Sequence, residues 1–241
     1  MLQWNGKLIS INRGLAEWHE PPVPDVPTDM DFIYLAKNFD GSKIPNSALN
    51  STFGDYMANG TLTTNGSGAS CYLSNANSAS NYLYKNLTST ELDNIKAVNG
   101  TYTFFIRMMM TNGGSLAGGI MSTRGNGGGY VYMLRCESNQ IQFHDYSATN
   151  LGTTNFGLNV DRVYKLQISG SYFYAKNLET SATYSRNFGT SRSMGQYMTT
   201  FWSGYGTEAM LDRFYGFAGV PRATTESEDE AIKECLMNQS V

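Results

Sequence analysis

Ten consecutive residues, Thr101-Tyr102-Thr103-Phe104-Phe105-Ile106-Arg107-Met108-Met109-Met110, constrain this chain more than any other segment. Read with a period of two, Tyr102, Phe104, Ile106, Met108 and Met110 share one face, and Thr101, Thr103, Phe105, Arg107 and Met109 share the other. Both faces carry apolar residues, so the run reads as a central strand. Further strand-like runs follow at Ala117 to Ser122, Gly129 to Arg135, Gln140 to Asp145, Arg162 to Ile168, Tyr172 to Lys176 and Met210 to Ala218. Glycine clusters at Asn112-Gly113-Gly114 and Gly125-Asn126-Gly127-Gly128-Gly129 divide them at the spacing of a sandwich. A parallel sheet would need intervening helices, which the pattern does not supply. Gly, Asn, Ser and Thr make up more than a third of the 241 residues, the makeup of many short strands joined by hydrogen-bonding turns. The fold class is therefore all-β: an antiparallel β-sandwich with a short C-terminal helix and an N-terminal docking arm.

Charge excludes several classes. Only 15% of residues are charged against 13% aromatic, and the net charge is -3, so the chain packs and is neither disordered nor a basic nucleic-acid binder. Apolar stretches of a few residues fall far short of the ~20 that cross a bilayer as a helix, so no membrane insertion is expected. The first residues lack the pattern of a cleaved export signal. Three widely spaced cysteines, Cys71, Cys136 and Cys235, fit neither a disulfide framework nor a zinc knuckle and read as free thiols.

The chain divides into a docking arm at 1–20, a proline-rich spacer at 21–30 and the sandwich at 31–241. In the arm, Asn5-Gly6 supplies a two-residue hairpin turn between short apolar runs. Twenty residues cannot enclose a core, so Trp4, Leu8, Ile9 and Ile11 are docking candidates, either against a partner or against the chain's own sandwich. Pro21, Pro22, Pro24 and Pro27 make the segment after the arm a stiff spacer. Two helical pieces are expected. One covers Ser89 to Lys96; the other closes the chain, with Thr225 and Glu228 at capping-box spacing and Ala231, Ile232, Cys235 and Leu236 on one face.

This order of strands resembles the concanavalin A-like lectin and laminin-G-like jelly-roll family over residues 31 to 241. Phe32-Ile33-Tyr34-Leu35-Ala36-Lys37-Asn38-Phe39-Asp40 is similar to the opening strand, and Thr101 to Arg107 to the strand that crosses the sandwich. Phe214-Tyr215-Gly216-Phe217-Ala218-Gly219-Val220 is similar to the closing strand. Tyr164 and Lys165 stand where many relatives have a Trp-His pair, and an aspartate-rich calcium loop is missing, so no metal and no other cofactor is expected. The arm and spacer resemble the N-termini of structural and fibre proteins of gut-bacterial phages. That resemblance implies a virion location, other virion proteins as partners through the arm, and a homo-oligomer.

Chemistry for catalysis is thin. Alternating carboxylates on one strand, which retaining glycosidases use, are absent; the dense acidic run Glu226-Ser227-Glu228-Asp229-Glu230 reads as a helix first turn. His144-Asp145 are strand neighbours on opposite faces, so no relay is expected, and the glycine loop at 125–129 lacks a phosphate-binding ending. Sugar binding needs only an exposed ring over a pyranose and polar side chains for its hydroxyls. Trp202 and Tyr205 beside glycines supply rings, and Arg124, Asn126, Asp145 and Tyr146 supply polar contacts, with Trp202 as a core plug the competing reading. The chain is thus expected to be a non-enzymatic attachment module with affinity for host surface glycans. A purely structural decoration protein and a glycan-active enzyme of the same fold are the alternatives.

Overall fold

The computed structural model describes the backbone of residues 2–4, 7–12, 15–19, 25–76, 78, 80–97, 100–109, 118–124, 130–137, 140–144, 159–187, 197–200 and 213–241. Side chains are described for 25–76, 78, 80–93, 100–109, 159–185, 187, 197–200 and 213–241. In chain order the strands are β1 (Leu2–Trp4), β2 (Lys7–Asn12), β3 (Leu15–His19), β4 (Phe32–Leu35), β5 (Lys43–Ile44), β6 (Tyr56–Asn59), β7 (Thr63–Asn65), β8 (Tyr72–Ser74) and β9 (Tyr82–Asn86). They continue with β10 (Thr101–Met109), β11 (Gly118–Arg124), β12 (Tyr130–Glu137), β13 (Gln140–His144), β14 (Arg162–Ser169), β15 (Tyr172–Asn177), β16 (Thr183–Asn187), β17 (Tyr197–Thr200) and β18 (Arg213–Val220). Two helices, α1 (Ser89–Ala97) and α2 (Glu226–Asn238), complete the described elements.

One sheet runs β16-β15-β14-β10-β18-β8-β7, with β4 also pairing β18; the other runs β13-β12-β11-β17-β9-β6-β5. The described ladders are antiparallel, and the sandwich expected from the strand pattern is the one observed. The central position expected for 101–110 is that of β10, which lies between β14 and β18. Its two faces serve two different layers. Tyr102, Phe104, Ile106 and Met108 enter the core between the sheets, where Phe104 stacks on Phe217 at 5.7 Å and Phe32, Tyr34 and Tyr56 stack in a row at 4.9 Å spacings. Phe105 points the other way and packs with Ile33, Val163 and Ala218 under Ile232 and Leu236 of α2. Gly219 is required by this packing, because a Cβ there would lie 2.5 Å from the Phe32 ring and 2.7 Å from the Tyr102 hydroxyl.

Helix α2 begins with the expected capping box: Glu228 N donates to Thr225 Oγ1, and Thr225 N donates to Glu228 Oε2 at 2.8 Å. Arg222 forks onto Glu228 and onto Asp29, holding the Glu228 carboxyl down at about 2 and tying the segment before β4 to the helix start. Two cations from the outer face of the sheet then clamp the helix. Lys165 donates to both oxygens of Asp229 in the first turn, at 2.8 and 2.9 Å. Arg107 donates to the carbonyls of Leu236 and Met237 in the last turn, at 2.9 and 2.8 Å, where a positive charge also opposes the helix dipole. The same guanidinium grips Asp161, donates to Ala69 O and lies 4.2 Å from the Tyr215 ring.

Several elements differ from the sequence reading. The arm is a three-stranded sheet: Asn5-Gly6 joins Trp4 to its partner Lys7 as expected, and β3 adds a third strand along β2. The opening strand stops at Leu35, followed by a 3-10 turn over Ala36–Asn38, because Asp40 turns the chain by accepting from Ser42 N and Lys43 N. The closing strand is Arg213–Val220; residues 210–212 lie outside the described residues. Met30 is buried and Val26 packs on the same cluster, so sandwich packing begins inside the segment read as spacer. Strands β5 to β9 are two to five residues long, too short for a periodicity to register. Cys71 and Cys235 are free and buried, as expected, and the Cys136 side chain lies outside the described residues.

Candidate functional site

Burial alternates along β15 and along the second half of β14, whose first half is covered on its outer face by α2. On β14, Tyr164, Leu166 and Ile168 enter the core while Gln167 and Ser169 face out; on β15, Phe173, Ala175 and Asn177 enter while Tyr172, Tyr174 and Lys176 face out. A two-residue turn, Gly170-Ser171, joins the strands, with Gly170 at φ 56°, the conformation its first central position requires. Register lines up the outward side chains in rows. Asn187 lies beside Tyr172 and Ser169, and Ser185 beside Tyr174 and Gln167. Thr101 and Ser169 share a 2.8 Å hydroxyl hydrogen bond at the end of the first row.

The result is a polar shelf that carries two tyrosines on alternate positions of one strand. Tyr172 is 57% exposed, the most exposed aromatic ring among the described residues. Tyr174 is half-buried toward α2, and burial together with Asp229 and Glu226 pushes its phenol up, so it stays a neutral hydrogen-bond donor. One amphipathic ring standing in solvent, with amide and hydroxyl groups about 5 Å away in the flanking strands, is a surface able to take a flat, hydroxylated ligand.

The face of the second sheet offers a less open alternative. Tyr84 sits between Met57 and Thr199 in register, and Tyr82 meets Tyr84 edge-on at 6.0 Å, but both rings are half-buried.

Of the residues selected from sequence, Arg124 ends β11, opposite Tyr197 and Tyr130 in the ladders, and only its backbone is described. Trp202, Tyr205, Asn126, Asp145 and Tyr146 lie outside the described residues. Trp4, Leu8, Ile9 and Ile11 are placed by backbone register alone, with Ile9 between Leu2 and Trp18. Sequence reasoning passed over Tyr172 and Tyr174 although the alternation Tyr-Phe-Tyr-Ala-Lys-Asn was visible. The signal it lacked was which of the two faces a helix covers.

Among the described residues no group of His, Cys, Asp or Glu is arranged to hold a metal ion, and no helix is long and apolar enough to cross a membrane. The Asp31 carboxyl is raised from 3.8 to about 6 by burial, a rise that Asp29 and Glu91 reinforce and the 2.8 Å hydrogen bond from the Tyr102 hydroxyl offsets in part. Its folded value exceeds its unfolded value, so folding takes up a proton between the two. Stability from this group is therefore full near pH 4 and is lost as pH rises to about 6. Urea titrations of the wild type and Asp31→Asn across pH 4 to 7 are expected to show a steeper decline in the wild type, since Glu179, also raised by burial, contributes to both.

No family model matches the chain, and no curated protein matches it. Solved structures do share the fold. Trypanosoma rangeli sialidase aligns with a TM-score of 0.61 at 12% identity, over 90% of this chain and 33% of its own. The same sialidase in complex with sialic acid aligns at 0.60 and 11%, over 90% and 34%. The receptor binding domain of botulinum neurotoxin C/D mosaic serotype aligns at 0.64 and 8%, over 86% and 51%. The chain thus spans a third to half of the length of these proteins, and what the likeness establishes is a common antiparallel β-sandwich.

Proposed function

We propose that this chain is a non-enzymatic, concanavalin A-like carbohydrate-binding module that takes the apolar face of a pyranose on the Tyr172 shelf. The exposure of Tyr172 carries the reading: an amphipathic ring left in solvent beside Asn187, Gln167 and Ser169 presents an apolar face and hydrogen-bonding groups side by side, which is what a pyranose needs. The fold adds support, being shared with a sialidase solved with sialic acid and with a toxin's receptor binding domain. The arm and spacer favour display of the module on a phage particle, with host surface glycans as the ligand class.

A glycan array with the full chain tests the proposal. Tyr172→Ala is expected to weaken binding about tenfold, the loss of one stacked ring, while Tyr172→Phe retains it. The melting temperature of Tyr172→Ala should stay within a few degrees, since exposed substitutions stay within about 0.5 kcal/mol. Array binding unchanged in Tyr172→Ala would move the site elsewhere, and release of free sugar from a bound glycan would favour the enzyme reading.

A further inference from the structure

We propose that a groove beside the C-terminal half of α2 receives the N-terminal arm of a second copy of this chain. The groove holds about 520 Å³ and lies between α2 and the segment at 25–28. Val26, Leu49, Cys235 and Val241 give it apolar walls, and Leu49 is 62% exposed, the highest value for a large apolar side chain among the described residues. Asp25 and Glu234 are its charged residues, and none of its lining residues is basic. The Oε2 atom of Glu234 is buried with no hydrogen-bond partner among the described residues, an arrangement that is costly until a donor arrives. The neighbouring Lys233 turns away to Glu230, at 2.7 Å. The groove therefore fits an occupant with an apolar body and a cation.

The arm has that chemistry. Its cations, Lys7 and Arg13, stand in residues 1–16 among Trp4, Leu8, Ile9, Ile11 and Leu15, and its two acidic residues, Glu17 and Glu20, come at the end next to the spacer. The arm's three strands form a sheet of their own that pairs with no other described strand, and so small a sheet needs an apolar surface to cover it. Exchange between copies follows from the tether. Asp25 lines the groove itself, so an arm returning to its own groove would reverse direction within Glu20-Pro21-Pro22-Val23-Pro24. Proline restricts its own φ and disfavours helical backbone at the residue before it, so the composition of this segment, with three prolines in five residues, disfavours that reversal.

Light scattering on the full chain, with charge reversals on each side, tests the exchange independently of the shelf. The wild type should be oligomeric. Lys7→Glu with Arg13→Glu, which leaves the sandwich sequence untouched, should raise the dissociation constant at least tenfold. Asp25→Lys with Glu234→Lys should do the same, and all four changes together should restore association. A monomeric wild type would overturn the proposal, as would an oligomer indifferent to the arm reversals. A monomer whose melting temperature falls on the arm reversals would place each arm in its own groove and overturn it too.

Discussion

Arg107→Ala is expected to lower the melting temperature by roughly 10 °C. Arg107 is buried, and its guanidinium binds Asp161, Ala69 O and two carbonyls of the last turn of α2. Truncation strands all of these at once. Removing one partner from such a buried ionic cluster costs about 3–5 kcal/mol, and in a domain of this size each kcal/mol moves the midpoint by about 2–4 °C. Arg107→Lys should recover only part, because an ammonium cannot hold the planar fork on Asp161 and reach the helix carbonyls together. Calorimetry on the two variants decides the matter. A shift of under about 3 °C for the alanine would mean that α2 is held by its apolar face alone.

The second large effect comes from the neighbouring strand β14 and the first turn of α2. Asp229→Ala leaves the Lys165 ammonium buried with one distant acceptor, the carbonyl of Thr224 at 3.4 Å, and leaves the Thr224 hydroxyl without its 2.6 Å acceptor. The expected cost is again about 3–5 kcal/mol in urea unfolding. The double change Lys165→Met with Asp229→Leu should return most of that stability, since a well-packed apolar pair is often equal to a buried ion pair. A coupling energy near zero in the four-member cycle would show that the pair is not protected from water. Together the two clamps explain how a helix of 13 residues with an acidic start stays seated on a sheet.

The fold class was legible because strand periodicity is local. In Thr101 to Met109 the alternation is written residue by residue, and each face is apolar enough to need a cover. The capping box at Thr225 and Glu228 and the hairpin signal Asn5-Gly6 are equally local; the capping box stands in the structure as read, and Trp4 pairs with Lys7 on either side of the hairpin signal. Arg107 was visible on the second face of its strand, but not its role, because its partners come from residues 69, 161, 236 and 237.

The candidate site belongs to the same class of information. By itself the chain determined the longer strands, their alternation and the helix that ends it, since propensity, turn chemistry and capping act over a few residues. Only the tertiary structure decided which outer faces are used. Helix α2 covers Phe105, Val163 and Ala218 and leaves Tyr172 in solvent, although all four lie on the same side of the sheet. Tyr172 and Phe173 are adjacent rings of similar size. Phe173 enters the core between the sheets, whereas Tyr172 meets water because a helix some fifty residues later comes to rest elsewhere on the outer face, and burial is a property of such contacts rather than of the residue.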